Sequence, residues 1–336
     1  MLKGITVGCG FFGRVHLDGW KRVEGAQIAA VMDVDRQKAK KAADDFDVAR
    51  HYADFEEAIE KERPDFVDIA TRPNSHLPLV EIAASKGCHV LCQKPMAPTW
   101  DESIEMVRVC KDSGVRLMIN ENWRWQPWYR EIKRLLEVDV IGEVHTITIV
   151  QHNPDAFLDP PFSRQPYFVA MERFLLIESV VHPIDVVRFL AGDIEEVYCD
   201  MRRVSGVTRG EDNVCMHLRV KGGRWGLLYS TRCSEEGVNE HICDFARIEG
   251  GNGFIELQPD GRITIKPLFK PGYKHIYHIP ELGYRGDSCR AALQHFVNCL
   301  NSGRQFETEG EDYLHVMRVV FAGYRSASER RAIRLC

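Results

Sequence analysis

The segment ITVGCGFFGRVHLDGW, residues 5–20, decides the fold of this 336-residue chain. A short β-branched run leads into GCGFFG, residues 8–13, and an amphipathic pattern follows. Glycines at this spacing, between a strand and a helix, form the dinucleotide-binding fingerprint. Gly8 permits the tight turn, Gly10 lets the backbone approach a pyrophosphate, and Gly13 lets the helix pack on the strand. A glycine-rich turn without a ligand is the alternative, and the strand and helix around it disfavour that interpretation.

Asp33 ends the next predicted strand, twenty residues after Gly13. A carboxylate at this position accepts hydrogen bonds from ribose hydroxyls and repels a 2′-phosphate, which favours NAD over NADP. Arg36 is close enough to hold a 2′-phosphate, although a solvated residue at a helix start is its simpler interpretation. We therefore predict NAD as the cofactor.

Residues 1–122 alternate short strands with helices. The predicted strands are 5–7, 28–32, 66–70, 89–91 and 116–119, and the predicted helices are 12–23, 35–46, 54–62, 76–86 and 99–113. This alternation is typical of an α/β Rossmann domain with a doubly wound parallel sheet.

Residues 123–336 show a different pattern, with strands that follow one another directly. Helices are predicted at 127–137, 179–191, 284–302 and 310–325, and strands at 143–150, 195–204, 213–220, 224–233, 241–249 and 253–265. VKGGRWG (220–226) and QPDGRI (258–263) carry the glycines that hairpin turns require. We predict an α+β domain for substrate binding and oligomerisation, with an open, mostly antiparallel sheet. Because an uncovered apolar sheet face needs a partner, a homodimer or homotetramer is expected.

Composition excludes several classes of partner. Hydrophobic residues make up 44% and charged residues 28% of the chain, the net charge is −5, and no basic run occurs, so nucleic acid is not expected. No apolar stretch approaches the roughly 20 residues of a membrane helix. The first residues run directly into a strand, so we expect no signal peptide and a cytoplasmic location.

The eleven cysteines are scattered, largely within apolar runs, which indicates buried, reduced thiols. Cys88 and Cys92 have the spacing of a metal-binding pair, but no second cluster completes it, so no metal site is predicted.

Two further motifs follow predicted strands. ATRPNSH spans residues 70–76, and LCQKPMAP spans residues 91–98 and contains Lys94. Ligands bind at strand ends in open parallel sheets. Alternatively, Lys94 is an ordinary exposed lysine in a turn, and the proline that follows it simply ends the strand.

Together these motifs resemble the Gfo/Idh/MocA (glucose–fructose oxidoreductase / inositol dehydrogenase) family over essentially the whole chain. GCGFFG is followed by Asp33; ATRPNSH corresponds to T-P-N/P-x-x-H and QKP to E-K-P. ESVVHPIDVVRFLAG, residues 178–192, corresponds to D-x-x-x-H-x-x-D. The resemblance implies an NAD(P)-dependent oxidoreductase that acts on a secondary hydroxyl of a sugar or cyclitol.

The resemblance also implies three catalytic residues, Lys94, His182 and Glu178. Removing hydride from a carbinol requires a base for the hydroxyl proton, and histidine suits that task. A cation such as Lys94 stabilises the developing alkoxide. The sequence departs from the family at Gln93, which replaces glutamate, and at Glu178, which replaces aspartate. Pro183 disfavours helical geometry at His182, so the helix is expected to begin near this point.

The remaining site predictions combine these motifs with the segment NENWRWQPW. The predicted cofactor-binding residues are Gly8, Gly10, Phe11, Phe12, Gly13, Asp33, Arg36, Thr71, Arg72, Pro73, Asn74, His76, Gln93, Lys94, Asn122 and Trp123. The predicted substrate-binding residues are Lys94, Arg124, Trp125, Arg164, Tyr167, Glu178 and His182. Packing between the domains is an equally good interpretation of the tryptophans. These segments resemble a family branch that oxidises pentoses and branched sugars such as D-apiose.

Two alternatives remain open from the sequence. A family member with tightly held NAD can hydrolyse or epimerise a glycoside through a transient ketone. A non-enzymatic NAD-sensing regulator needs the glycine-rich loop but not Lys94 and His182.

Overall fold

The structure is a computed structural model that describes residues 1–236 and 243–335. Two compact units are present: Met1–Trp125 with Glu281–Met317, and Gln126–Pro280 with Arg318–Cys336. The sequence assigned every residue after 122 to one domain, whereas the structure groups residues 281–317 with the first unit.

The sheet of the first unit has six parallel strands in the order β3-β2-β1-β4-β5-β6. These strands are β1 (Leu2–Val7), β2 (Ala26–Met32), β3 (Arg50–Tyr52), β4 (Phe66–Ile69), β5 (His89–Gln93) and β6 (Leu117–Asn120). This is the strand order of dinucleotide-binding α/β domains. The predicted doubly wound parallel sheet is confirmed. The short strand β3 was not predicted, because its sequence Arg-His-Tyr has no apolar alternation.

The helices of the first unit connect and cover these strands. They are α1 (Phe11–Trp20), α2 (Arg36–Phe46), α3 (Phe55–Glu62), α4 (His76–Ser85), α5 (Trp100–Asp112) and α8 (Ser288–Ser302). Asp35, Asp54 and Thr99 accept backbone N–H bonds at the starts of α2, α3 and α5, which satisfies amides that have no partner within the helix.

Helix α8 packs on α1 because both present apolar residues to one core. Trp20 of α1, Phe66 of β4 and Phe296 of α8 are buried there, with ring centroids of Phe66 and Phe296 5.4 Å apart. Gly19 leaves no room for a side chain against Leu293, so the two helices approach closely. The predicted helix start at residue 284 was early by four residues.

The second unit contains a nine-stranded sheet in the order β14-β13-β12-β11-β7-β10-β9-β8-β15. Its strands are β7 (Val144–His152), β8 (Ile194–Arg202), β9 (Asn213–Val220), β10 (Arg224–Thr231), β11 (Phe245–Gly250), β12 (Gly253–Leu257), β13 (Ile263–Pro267), β14 (Tyr273–His275) and β15 (Ile333–Arg334). Only β7 and β10 pair in parallel among these described strands. The predicted open, mostly antiparallel α+β fold is confirmed.

Two predicted strands of this sheet need correction. Residues 253–265 form two strands rather than one, because Gly261 has a φ of 83° and turns the chain between them. The predicted strand 241–249 begins in a part that lies outside the described residues, and β11 itself starts at Phe245.

The helices of the second unit are α6 (Pro127–Glu137) and α7 (Val181–Ala191), and α9 (Gly310–Glu329) begins in the first unit and ends in the second. A π-helical turn, Leu176–Val180, leads directly into α7. Pro183 is the third residue of α7, and His182 before it is helical.

In the described part of the chain, no helix has the length and apolarity to cross a membrane. None of the ten described cysteines is part of a disulfide bond, and most are buried as expected. Cys215 is exposed, however, because it faces outward from β9.

Candidate active site

The glycine-rich loop joins β1 to α1. Gly8 has a φ of 96°, and a side chain at Gly13 would collide with the carbonyl oxygen of Gly8. A Cβ atom on Gly10, in contrast, would meet no described atom within 4 Å. The protein itself therefore requires Gly8 and Gly13, whereas the space beside Gly10 is open at the start of α1, where helix N–H groups favour phosphate.

Asp33 at the end of β2 is fixed beside this loop. One oxygen of its carboxylate accepts the backbone N–H of Cys9 at 2.8 Å, and the other accepts the N–H of Asp35 at 2.9 Å. Burial, and secondarily Asp33, raises the pKa of the Cys9 thiol to about 12. Arg36 is the first residue of α2 and is exposed.

Residues 70–76 follow β4 and include the predicted cofactor contacts Thr71, Arg72, Pro73 and Asn74. Arg72 and Asn74 are exposed, whereas His76 is fully buried. Nδ1 of His76 lies 3.1 Å from the carbonyl oxygen of Met96, and Nε2 lies 3.2 Å from that of Thr71. Burial lowers the pKa of His76, and the carbonyl contacts oppose this. His76 thus ties the loop after β4 to the loop after β5, and a cofactor contact through its ring stays a prediction.

Lys94 follows the last residue of β5 and is only 7% exposed. This burial contradicts the alternative of a lysine in an exposed turn. Its backbone N–H donates to Oε1 of Gln93 at 2.6 Å, and the Lys94–Pro95 peptide bond is cis.

Glu121, immediately after β6, is fully buried and was not predicted as a site residue. Burial raises its pKa to about 7; the Trp123 N–H, the charge of Lys94, the Tyr313 hydroxyl and Arg124 all act in the opposite direction. Oε1 accepts the Trp123 N–H at 3.2 Å, and Oε2 accepts the Tyr313 hydroxyl at 3.0 Å. A carboxyl group that titrates near neutral pH and is affected by Lys94 is typical of functional sites.

The segment after Glu121 carries Asn122, Trp123, Arg124 and Trp125. Asn122 donates to the Ser288 hydroxyl at 2.8 Å, and its buried Oδ1 has no hydrogen-bond partner among the described residues. The guanidinium of Arg285 lies 4.9 Å from the Trp123 ring centroid.

Arg124 and Trp125 make contacts with residues 281–317. Arg124 donates to the Glu307 carbonyl at 2.9 Å, and the Trp125 ring packs 4.6 Å from that of His295. These contacts explain why both are wholly or partly buried. Their predicted contacts with substrate stay predictions.

In the second unit, Glu178 and His182 are both buried and lie one helical turn apart across the junction of the π-helical turn with α7. π-Helical turns inside helices occur frequently at functional sites. Tyr167 donates to Oε1 of Glu178 at 3.4 Å, whereas Arg164 on the same loop is exposed. The structure therefore brings Tyr167 and Glu178 together.

Glu211 holds the start of this helical segment in place, and its role was not predicted from the sequence. Its carboxylate accepts the N–H groups of Phe174 at 3.2 Å and Leu176 at 3.0 Å, and the Tyr324 hydroxyl at 2.8 Å. Because it caps the start of the π-helical turn, Glu211 fixes the position of the segment that carries Glu178 and His182.

The first unit fits a dinucleotide on two observations. The open space beside Gly10 lies at a helix N-terminus, and the buried Oδ1 of Asn122 needs a donor that a carboxamide supplies. In the described part of the chain, no group of histidine, cysteine, aspartate and glutamate residues has the arrangement of a metal site.

Comparisons with known proteins agree with this geometry. Residues 3–121 match the oxidoreductase family with an NAD-binding Rossmann fold, and residues 129–256 match the Gfo/Idh/MocA C-terminal domain. The D-apiose dehydrogenases of Paraburkholderia graminis and Rhizobium rhizogenes are 33% and 32% identical over 99% of this chain, and the matches cover 89% and 97% of their lengths.

The chain belongs to the Gfo/Idh/MocA family of oxidoreductases.

Among solved structures, an oxidoreductase from Agrobacterium radiobacter in complex with NAD⁺, L-tartaric acid and magnesium has a TM-score of 0.93 at 31% identity, covering 99% of this chain and 98% of that one. The predicted family, the enzyme class and the NAD-binding Rossmann domain are confirmed. The Gfo/Idh/MocA family includes oxidoreductases of sugars and cyclitols, and this chain is one of its members.

Proposed function

We propose that the chain is an NAD-dependent dehydrogenase that oxidises a secondary or anomeric hydroxyl of a sugar or cyclitol, with a pentose or branched sugar such as D-apiose as the preferred class. The observation that carries this proposal is the 33% identity to a D-apiose dehydrogenase over 99% of the chain. The buried Lys94 follows β5, in the same parallel sheet as β1, which leads into the glycine-rich loop, and this supports the proposal.

NAD, when bound, accepts a hydride at its nicotinamide ring. The residues that hold it are proposed to be the glycine-rich loop 8–13, with Phe11 and Phe12, Asp33 at the adenosine ribose, residues 71–74, and Asn122. Asp33 selects NAD because its carboxylate would repel the 2′-phosphate of NADP, and two backbone N–H groups hold that carboxylate in place.

Lys94 and His182 are proposed to act on the same substrate hydroxyl. The imidazole of His182 accepts the hydroxyl proton, and the ammonium group of Lys94 stabilises the negative charge that develops on oxygen. Glu178 and Asp185 are buried on the same helical segment as His182, so Glu178 is the second candidate for holding the proton. Tyr167 and Arg164, on the preceding loop, are proposed to contact sugar hydroxyls.

The outer face of the second unit's sheet is the proposed oligomer interface. Tyr198, Trp225, Leu227 and Tyr229 face outward from β8 and β10 with exposures of 44%, 52%, 38% and 38%. His217 and Arg219 of the intervening β9 lie on the same face, so it is rich in exposed aromatic side chains and also carries polar groups, which is typical of a protein–protein interface. A homodimer or homotetramer assembled through this face is therefore proposed.

A substrate panel tests the activity. Pentoses, hexoses, branched sugars, lactones and inositols are incubated separately with NAD and NADP, and reduced cofactor is followed by absorbance. We expect the highest rate with NAD and a pentose or branched sugar. Product formation without reduced cofactor would instead indicate a reaction in which NAD is recycled, as in epimerisation or hydrolysis through a ketone. No turnover with any member of the panel would contradict the proposed dehydrogenase.

A further inference from the structure

A line of buried polar side chains crosses the face of the first unit's sheet that α1 covers. Its members are Thr6, Asp68, Gln93 and Asn120 on four neighbouring strands, with His16 and Trp20 on α1. The strand register pairs Thr6 with Asp68 and Gln93 with Asn120. Burying such groups costs several kcal/mol each unless they are hydrogen-bonded, so each contact in the line has an energetic consequence.

Asp68 is the acceptor at one end of this line. Its Oδ2 accepts the indole N–H of Trp20 at 2.7 Å, and its Oδ1 lies 2.8 Å from Nδ1 of His16. Because a carboxylate oxygen accepts, Nδ1 of His16 donates. An imidazole with its proton on Nδ1 presents an acceptor at Nε2.

The backbone N–H of Lys94 is the donor at the other end. It can only donate, so the atom of Gln93 that faces it at 2.6 Å is the carbonyl oxygen Oε1. The amide group Nε2 of Gln93 then faces Nε2 of His16 at 3.0 Å. The Nδ2 of Asn120 lies 2.6 Å from the same nitrogen, so the two amides share its single lone pair, and Oδ1 of Asn120 has no hydrogen-bond partner among the described residues. All the donors of the chain Lys94–Gln93–His16–Asp68 point towards Asp68.

We infer that His16 and Gln93 are positioning residues for Lys94. The chain of hydrogen bonds runs from a buried carboxylate on the central strand β4, through α1, to the backbone of the residue that carries the proposed catalytic ammonium group. It also connects the helix that follows the glycine-rich loop to Lys94. The inference rests on the proposed function, because positioning matters for the rate only if Lys94 acts on the substrate.

This chain of hydrogen bonds explains why an amide side chain is suited to position 93. A glutamate there has no N–H to donate, so its oxygen and the Nε2 lone pair of His16 would face each other as two acceptors. The contact would be restored only if His16 moved its proton to Nε2 or bound a second one. Gln93 is thus matched to His16 in the Nδ1–H tautomer.

Three substitutions separate positioning from packing. Gln93→Glu keeps the shape of the side chain and exchanges the donor for an acceptor. His16→Leu removes the contacts of His16 with Asp68, Gln93 and Asn120. His16→Gln replaces the ring by a group with one donor and one acceptor, so it should recover most of the rate lost in His16→Leu. Trp20→Phe is the matched control, because it removes a hydrogen bond to Asp68 outside the chain.

The first measurement is ¹⁵N NMR of histidine-labelled protein, with His16 assigned by its absence in His16→Gln. We expect the Nδ1–H tautomer of His16 in the wild type, and a shift to Nε2–H or to imidazolium in Gln93→Glu. An Nε2–H tautomer or an imidazolium in the wild type would contradict the inferred chain of hydrogen bonds, whichever substrate the enzyme oxidises.

The second measurement is turnover on the substrate found in the panel. We expect kcat to fall about 10²-fold in Gln93→Glu and His16→Leu, since misplacement of a reacting group by about 1 Å has that effect. The KM for NAD should change less than about threefold, because the lost interaction acts in the transition state. Trp20→Phe should lower the melting temperature while keeping most of the turnover. If His16 has the expected tautomers and Gln93→Glu keeps the kcat of the wild type, then His16 and Gln93 do not position Lys94, although the proposed dehydrogenase activity still stands. If the tautomer is as expected but the wild type has no activity, the proposed dehydrogenase function is contradicted.

Discussion

The carboxylate of Asp33 accepts the backbone N–H of Cys9 at 2.8 Å, so the end of β2 is tied directly to the glycine-rich loop. This bond keeps a negative charge beside the position proposed for the adenosine ribose. A phosphate on that ribose would face the carboxylate at close range.

Asp33→Ser should therefore narrow the preference for NAD over NADP by at least about tenfold, since like charges placed together cost several kcal/mol. The dissociation constants of both cofactors, from protein fluorescence, measure it. Asp35→Ser is the control, because serine can still cap α2 while one nearby carboxylate is lost. Tighter binding of NADP than NAD by the wild type would show that Arg36, and not Asp33, determines the selection.

Gly10→Ala and Gly13→Ala form a matched pair. The added methyl group meets no described atom at Gly10, so stability should be unchanged, but NAD affinity should fall at least about tenfold if the pyrophosphate approaches there. At Gly13 the methyl group collides with the Gly8 carbonyl, so the melting temperature itself should fall. Calorimetry and NAD titration distinguish the two. Unchanged NAD affinity in Gly10→Ala would contradict the proposed cofactor position.

Lys94→Met and His182→Ala should each lower turnover by about 10²–10⁴-fold and retain NAD binding. Because the two residues are proposed to serve one proton transfer, the double variant should be much less than multiplicatively slower. The wild-type rate should fall at acid pH as the base becomes protonated, and this limb should shift or vanish in His182→Ala. If His182→Ala keeps both the rate and the limb, the base is another group, with Glu178 acting through a water as the next candidate.

Glu121→Gln should change the pH dependence of stability. Burial raises the pKa of Glu121 from 4.5 to about 7, so the folded protein binds this proton more tightly than the unfolded chain. The stabilisation of the folded state by this bound proton is therefore fully present below pH 4.5 and is lost as the pH rises to about 7. The free energy of unfolding of the wild type, relative to Glu121→Gln, should decrease by up to about 3 kcal/mol across that range.

Denaturant unfolding between pH 4.5 and 8 measures this difference. Glu81→Gln, at an exposed position of α4, is the control and should follow the wild type. A constant difference between wild type and Glu121→Gln would show that Glu121 is ionised throughout.

The proposed interface predicts an oligomer that depends on the outer face of β10. Light scattering at micromolar concentration should show a dimer or tetramer, and Trp225→Asp should shift it towards the monomer, since the substitution removes a large aromatic side chain from the interface and replaces it with a charge. Ile104→Asp, at a similarly exposed position of α5, should leave assembly unchanged. Cys215, which lies opposite Tyr229 in the register, should be protected from thiol reagents in the oligomer. A monomeric wild type would contradict the interface.

The sequence predicted those helices, strands and loops whose formation depends mainly on neighbouring residues. The glycine spacing of residues 8–13 and the alternation of strands and helices reflect backbone geometry and burial, so the first sheet and its loop were predicted correctly. Glu121, Asp68 and His16 were missed because the sequence around a buried polar residue carries no signal of the distant residue that is its partner. The available clue was the presence of an aspartate at the centre of the buried strand FVDIA, which requires a donor from elsewhere.

Long-range packing could not be predicted for the same reason. The helix α8 has an ordinary amphipathic sequence, and nothing in it specifies α1 as its partner. Residues 281–317 belong to the first unit because Phe296 and Leu293 pack in its core. These two residues lie 270 or more positions after α1 in the sequence.

The return of α8 to the first unit has a consequence for engineering. A fragment ending at Trp125 would leave Trp20 and Phe66 without the apolar partners that cover them, so it would associate through that surface rather than remain dispersed. An exchange of cofactor-binding modules between relatives must therefore transplant two separate pieces of gene, 1–125 and 281–317. The cofactor-binding unit of this chain is therefore built from two segments that are distant in sequence.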